Sequence, residues 1–424
     1  MLLETKIKLT TFSHAWRALK HRNFKLFFAG QSISVIGTWM TRMATSWLVY
    51  RMTHSALLLG LVSFSSQIVP FLLQPLAGAW VERLDRHKLL VWTQVAACLQ
   101  SLALAFLTLS GVITIWEVIA LSSLQGFINA FDTPARQSFL IQMVEDRGDL
   151  SNAIAINSTM TNSARLFGPA LAGLVIGAVG EGWCFLIDGV SYLAVIASLL
   201  CMHIKPITVL LHKKTLREQM REGWTYVRTF RPIRSILLLF GFTALMGYPY
   251  IVLLPVFAGE IFHGGPHTLG WLTGASGCGA LLSALTLTLR KSVVGLVGMI
   301  QLSCVLLGGS LILFGLSHTF WWSLILLGIS GFGLMQTAAA CNTIIQTVVS
   351  DDKRSRVMSY YAMAFYGSAP IGSLLAGILA QKIGAPHTIL VTGMFCVLGS
   401  IWFAYEVPKL KKAMNPIYQE MGIK

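Results

Sequence analysis

Twelve apolar stretches follow one another between Phe24 and Tyr405, each near the ~20 residues a helix needs to cross a bilayer. Backbone N–H and C=O groups inside hydrocarbon find no water, so each stretch must satisfy its own hydrogen bonds as a helix. The sequence therefore predicts an all-α polytopic membrane protein. Spans are expected near 24–49, 56–81, 89–110, 114–137, 152–178, 183–204, 235–259, 268–289, 294–316, 320–346, 357–381 and 385–405. Only 12% of residues are charged, about half the share found in soluble domains.

The charges that remain are unevenly placed. Of the 32 Lys and Arg, 28 fall on one face of the spans. Arg51 and Lys382 lie on the other, and Arg42 and Arg165 lie inside spans. The positive-inside rule then predicts that both termini are cytoplasmic. The net charge of +15 reports topology and contact with anionic membrane lipids, and no nucleic-acid partner is expected. The N-terminus leads into a full-length span without a small-residue cleavage site, unlike a cleaved signal. Cys98, Cys184, Cys201, Cys278, Cys304, Cys341 and Cys396 sit in or beside apolar spans without paired spacing. They read as small buried hydrophobes, implying neither disulfides nor zinc.

The longest hydrophilic stretch divides the chain into an N-terminal six-helix bundle (1–204), a linker (205–234) and a C-terminal six-helix bundle with its tail (235–424). Within the linker, Leu216, Met220, Trp224 and Val227 recur at helical spacing, predicting an amphipathic surface helix. The halves resemble each other. Gly126-Phe127 matches Gly331-Phe332 at an offset of 205, Gln142 matches Gln346 at 204, and Gly60 matches Gly270 at 210. The run from Gly168 to Gly173 matches Ala369 to Ser373 at an offset of 201. Repeats of this parallel kind are related by an axis along the membrane normal and rock about a central site, which predicts alternating access.

After the second span the chain reads Gly78-Ala79-Trp80-Val81-Glu82-Arg83-Leu84-Asp85-Arg86-His87-Lys88. This resembles the loop signature of the major facilitator superfamily: Gly, three residues, an acid, Arg, then a basic cluster. The resemblance implies a cytoplasmic gate made by Gly78, Glu82, Arg83, Asp85, Arg86 and Lys88. Gly78 would allow close helix approach, and Glu82 would face the N-terminus of span 11. Arg83 and Arg86 would pair with Asp132. The runs Leu19 to Phe24, Gly37 to Met40, Phe131 to Gln137 and Gly182 to Leu186 narrow the likeness. They are similar to the enterobactin-exporter-like and macrolide-efflux-like branch of bacterial facilitators. That likeness implies a monomeric inner-membrane exporter of drugs, siderophores or other amphipathic solutes, with protons exchanged as the drive. Two positions depart from the antiporter pattern: Ser122 stands where an Arg is common, and Ala164 where a Gly is expected.

Charges at membrane depth cost about 2.5–3.5 kcal/mol on insertion scales, so each needs a partner or a wet cavity. Arg42 and Asp188 lie at similar depth in spans 1 and 6 and are expected to pair. Asp188 is then either a protonatable coupling group or half of a structural ion pair. Arg165, near the middle of span 5, is expected to bind an anionic group of the substrate or to reach Asp132. Glu117 and Glu260 fall at span ends and read as interfacial. The fold implied by the resemblance lines its cavity with spans 1, 4, 7 and 10, flanked by 2, 5, 8 and 11. The cavity residues offered there are Trp39, Met43, Gln67, Gln74, Gln125, Asn129, Asn157, Asn162, Tyr248, Tyr250, Met335, Gln336, Asn342, Tyr361 and Tyr366. Aromatic rings and Met give adaptable contacts and amides a few hydrogen bonds, which suits an amphipathic organic solute.

Other classes find less support. His263 and His267 are separated by Gly264-Gly265-Pro266, which breaks any helix that would make them a metal pair. No phosphate-binding loop suggests ATP drive. No catalytic constellation and no cofactor are expected. A dedicated siderophore exporter, a lysophospholipid transporter and an uncoupled facilitator stand as alternatives. Pro249 and Pro255 predict a weakened span 7, consistent with gating.

Overall fold

The computed structural model describes residues 16–81, 84–144, 146–203, 216–290 and 292–420. Twelve long helices account for most of them, and no strand occurs among the described residues. They are α1 (Arg22–Thr53), α2 (Ala56–Val81), α3 (Arg86–Leu109), α4 (Ile115–Met143), α5 (Leu150–Val179) and α6 (Glu181–Leu200). After a linker helix (Leu216–Thr229) come α7 (Arg231–Ile261), α8 (Pro266–Thr288), α9 (Leu296–Leu316), α10 (Phe320–Val348), α11 (Asp351–Ile383) and α12 (Ala385–Glu420).

Nine of the twelve are long and apolar enough to cross a membrane by length and composition alone. The exceptions, α1, α4 and α8, are equally long but more polar. Arg42 lies on α1, Gln125, Asn129 and Asp132 lie on α4, and α8 is rich in Gly, Ser and Thr. Helix α7 is broken at Tyr248-Pro249 and finishes in a π-turn over Phe257–Ile261. Proline removes a backbone donor and crowds the preceding turn, so the interruption falls where Pro249 and Pro255 predict it.

The internal repeat appears as repeated contacts. Gly126 of α4 packs on the Ser66 carbonyl of α2, and Gly331 of α10 packs on the Ser276 carbonyl of α8. Gly60 of α2 meets Ser373 and Gly377 of α11, and Gly270 of α8 meets Pro169 and Gly173 of α5. Small residues of this kind let membrane helices approach closely. These contacts match Pro169 with Ser373 and Gly173 with Gly377, 204 positions apart. Gly180 and Gly384, the left-handed turn glycines after α5 and α11, have the same spacing. The sequence-based offset of 201 for this pair of helices is therefore wrong by nearly one turn. It aligned Pro169 with Pro370, and a proline does not set the register of a helix.

The two six-helix bundles meet unevenly. On the side away from the termini, residues of both bundles form one continuous apolar core that includes Trp47, Leu59, Phe185, Leu253, Phe257, Leu269 and Phe314. On the side of the termini each bundle has its own core. One is built on Phe24, Leu90, Phe139 and Leu199. The other is built on Ile236, Phe240, Ile344 and Phe403.

The linker helix belongs with the second core. Val227 is buried in it, Trp224 packs on Tyr360, and Glu222 pairs with Arg356. Residues 204–215 lie outside the described residues. Helix α7 begins at Arg231, inside the stretch expected to be linker.

Candidate functional site

The closed side of the interface is tightly built. The Tyr50 ring at the end of α1 occupies the space beside Gly259 in the π-turn of α7, where no larger residue fits. His267 of α8 fills the equivalent space beside Gly177 of α5. Ser55 Oγ donates to Gln381 Oε1 at 3.1 Å, linking α2 to α11. A second side-chain bond between the bundles runs from Arg165 to Met335. Among the described residues, the contacts that close the interface therefore lie on the side away from the termini.

At mid-depth in this interface, α1 and α5 place two guanidinium groups on one indole. The Arg42 Cζ lies 4.9 Å from the Trp39 ring centroid, and the Arg165 Cζ lies 5.2 Å from it. Cation–π contacts of this kind are worth ~0.5–2 kcal/mol each, more when water is excluded. Gly168 makes the arrangement possible, because a Cβ there would come 2.5 Å from the Trp39 Cβ. Arg165 Nη1 reaches across to the Met335 Sδ of α10 at 3.8 Å, and its Nε is buried without a hydrogen-bond partner.

Asp188 of α6 is 2% exposed and sits among hydroxyls. Thr38 Oγ1 donates to one carboxylate oxygen at 3.4 Å, and Ser101 Oγ donates to the other at 3.2 Å. Thr41 brings a third hydroxyl beside it, at a geometry short of a hydrogen bond. The expected Arg42–Asp188 ion pair is not formed: no Lys or Arg nitrogen lies within 4.0 Å of the carboxylate among the described residues. Similar depth placed the two side chains together in the sequence reading. Arg42 instead turns to the open interface over Trp39, while Asp188 faces the α1–α3–α6 packing.

Asp132 of α4 is also buried, at 3% exposure. It takes an ion pair from Arg136 one turn on, with Thr93 Oγ1 at 3.0 Å and Gln94 Nε2 at 2.7 Å donating from α3. These donors satisfy it, so the expected partnerships with Arg86 and Arg165 are not made. Asp85 caps α3 by accepting from the His87 and Lys88 backbone N–H groups at 3.0 and 3.2 Å. Lys88 Nζ is 4.0 Å from its carboxylate. Glu82, Arg83 and the surroundings of Gly78 lie outside the described residues, so the gate they would form is not seen.

The family model for transmembrane secretion effectors matches residues 13–421. The chain belongs to the major facilitator superfamily. This facilitator is 28% identical over 389 residues to the staphyloferrin A transporter of Staphylococcus aureus, covering 91% of this chain and 97% of that one. It is 23% identical over 390 residues to macrolide efflux protein A of Streptococcus pyogenes, covering 89% and 95%. Among solved structures it resembles a bacterial homologue of the human lysosomal transporter Spinster in an inward-facing, unoccupied conformation. The TM-score there is 0.69 at 14% identity, covering 92% and 98% of the two chains.

The other cavity residues expected in this facilitator separate into two groups. Gln125 and Asn129 stay half-buried on α4 and bond each other at 3.2 Å. Gln67 bonds Ser63 on its own helix, Asn162 donates to the Ser158 carbonyl, and Asn342 accepts from Gln346. Asn157 is half-buried, Tyr248 packs edge-on against Phe365, and Tyr366 is 42% exposed. Tyr361 is anchored by a 2.9 Å bond to the Ala338 carbonyl and by stacking on Phe240. The side chain of Gln74 lies outside the described residues.

Three expectations fail on burial. Gln336 is fully buried and accepts from Ser283 at 2.8 Å and Thr286 at 3.2 Å, tying α10 to α8. Tyr250 is 1% exposed and shares a 2.6 Å bond with Ser276. Met43 is 5% exposed within the closed-side core. Polar character alone suggested a cavity for the first two, but buried polar groups also serve as helix-to-helix ties. The cysteines depart from expectation too: all seven are free, but Cys201 and Cys278 are exposed.

Sequence reasoning missed Tyr50, Gly259, Thr38, Thr41 and Ser101. The i, i+3 spacing of Thr38 and Thr41 on a span carrying Gly37 was the available signal for the Asp188 cage. A hollow of about 650 Å³ between the linker helix and α11 is lined by Arg221, Glu222, Lys353, Arg356 and neighbours. It lies outside the bundle interface and carries both signs of charge, so it is not taken as the solute path.

Proposed function

We propose that this protein exports a small amphipathic organic solute by alternating access, with proton exchange as the drive. The observation that carries the reading is the one-sided closure of the interface. The Tyr50–Gly259 and His267–Gly177 contacts hold one end together, while toward the termini the described residues of the two bundles form separate cores. A carrier loads from such a state and releases after the bundles tilt. The basic-residue bias supports cytoplasmic termini, so the end nearer them would load from inside the cell. The names of the two relatives, a staphyloferrin A transporter and a macrolide efflux protein, agree with transport of a siderophore-like or drug-like molecule, and the second with export.

The Asp188 cage supports proton coupling. Each hydroxyl that reaches the carboxylate also has a carbonyl to donate to, Ser34 O from Thr38 and Phe185 O from Ser101, both at 3.0 Å. With Asp188 ionised, the hydroxyl protons turn to the carboxylate. With Asp188 protonated, they turn back to the carbonyls, and the carboxyl O–H donates to a hydroxyl oxygen. The cage thus accommodates either state without an ion pair to break.

Purified protein in proteoliposomes tests both parts. Saturable counterflow of a siderophore is expected, accelerated by a pH gradient in wild type but not in Asp188→Asn. Flux that never saturates would point to a channel. A pH-gradient response unchanged in Asp188→Asn would remove Asp188 from the coupling role.

A further inference from the structure

We infer that Arg42 and Arg165 form an anion clamp, which makes the transported solute an amphipathic organic anion such as a carboxylate rather than a cation. The inference rests on the proposed role of the bundle interface as the solute path.

Both guanidinium groups lack a structural counter-charge. No carboxylate lies within 4.0 Å of either among the described residues. Asp188 lies within electrostatic reach of Arg42, but its oxygens are turned to Thr38 and Ser101. A guanidinium carries five N–H donors. The hydrogen-bond acceptor given to Arg165 is the Met335 thioether at 3.8 Å, a weak one, and its Nε is buried without any. Two like charges held on one ring repel each other, and neither gains what an ion pair would return. An arrangement of that kind stores positive potential between low-dielectric walls, which draws in anions.

The surroundings fit a solute with one charged end. Tyr248 and Tyr366 of the other bundle lie within electrostatic reach of the Arg165 guanidinium. Their hydroxyls can donate to the same anion. Trp39 and Met335 give its apolar part a flat ring and a polarisable thioether. Arg42 lies off the α1 face that packs on α6 through Gly30 and Gly37, and off the stretch Ile36 to Met40 that packs on Gly168 of α5. Its exposed side chain is free to meet a solute entering from the open side. An anion bound here would touch donors from both bundles, whereas a cation would meet two like charges.

The test uses two fluorescent probes with one apolar group and opposite charge, dansyl-glutamate and dansyl-cadaverine. Their binding is titrated to the full-length protein in phosphatidylcholine nanodiscs. Saturable binding of dansyl-glutamate at least tenfold tighter than dansyl-cadaverine is expected. Arg165→Gln and Arg42→Gln should each weaken it about tenfold, with part of the affinity returned by Arg165→Lys. Arg42 is exposed, so its variant serves if Arg165→Gln does not fold. Equal or tighter binding of dansyl-cadaverine, or unchanged affinity in a folded variant, would overturn the clamp. Displacement of the probe by a few mole per cent phosphatidylglycerol would assign the arginines to a lipid headgroup and also overturn it. Binding needs neither gradient nor turnover, so failure of export with selective anion binding intact would count against the transport reading alone.

Discussion

Asp188 on α6 lies so close to Gly37 on α1 that a Cβ at Gly37 would come within 2.9 Å of the carboxylate oxygen and 3.0 Å of the Asp188 Cα. The same atom would meet Ser191 Oγ at 3.1 Å. Gly37→Ala must therefore push the two helices apart. Overpacking of this kind costs about 1–3 kcal/mol, read as a lower melting temperature in detergent. Asp188→Asn keeps the volume and should melt close to wild type. If Gly37→Ala melts like wild type, the α1–α6 contact is looser than described.

The closed side depends on the Tyr50 ring beside Gly259. Gly259→Ala leaves no room for that ring and should shift the population toward a state open away from the termini. In a cysteine-free background, a reporter cysteine replacing Ala56, buried where α2 meets Gly377 of α11 on the closed side, should react severalfold faster with a membrane-impermeant maleimide. An unchanged rate would mean that Tyr50 does not hold this side shut.

The repeated contacts should have repeated costs. Gly126→Ala presses on the Ser66 carbonyl and Gly331→Ala on the Ser276 carbonyl. Each is expected to lose about 1–3 kcal/mol by overpacking, measured by thermal unfolding of the purified variants. A large loss in one and none in the other would deny the two contacts equivalent roles.

Asp149, just before α5, forms ion pairs with Arg17 at 3.1 Å and Lys20 at 2.6 Å and lies 3.0 Å from the His21 ring nitrogen, pinning the N-terminal segment to the bundle. The hydrogen bonds from Lys20 and then His21 hold its carboxyl below the usual carboxylate range, aided by the charges of Lys20 and Arg17. A carboxyl depressed in the folded state contributes stability above its unfolded pKa of about 4, lost as pH falls through the folded value. Asp149→Asn should melt a few degrees lower than wild type at neutral pH, with the gap closing below about pH 4. A gap that does not change with pH would show that packing, rather than the charge, is what Asp149 contributes.

Much of this was legible from residue order. Every expected span corresponds to one helix, and the second matches at both ends. Helices α1, α11 and α12 run past their expected spans, because apolarity marks the bilayer while a helix can continue beyond it. The candidate site was legible only in part. Arg165 and Trp39, expected to line the cavity, lie against each other with Arg165 reaching Met335 of α10, while Gln336 and Tyr250, expected in the same cavity, are buried in the C-terminal bundle.

The reason is geometric. Sequence gives depth, because a helix rises about 1.5 Å per residue, and it gives the angle of each side chain around its own axis. It does not say which neighbour stands at that angle. Apolar length, the basic bias and the spaced glycines therefore determined a twelve-helix, two-bundle membrane protein. Tertiary packing decided that Asp188 faces hydroxyls while Arg42 and Arg165 share an indole, because those partners come from helices far apart in the chain.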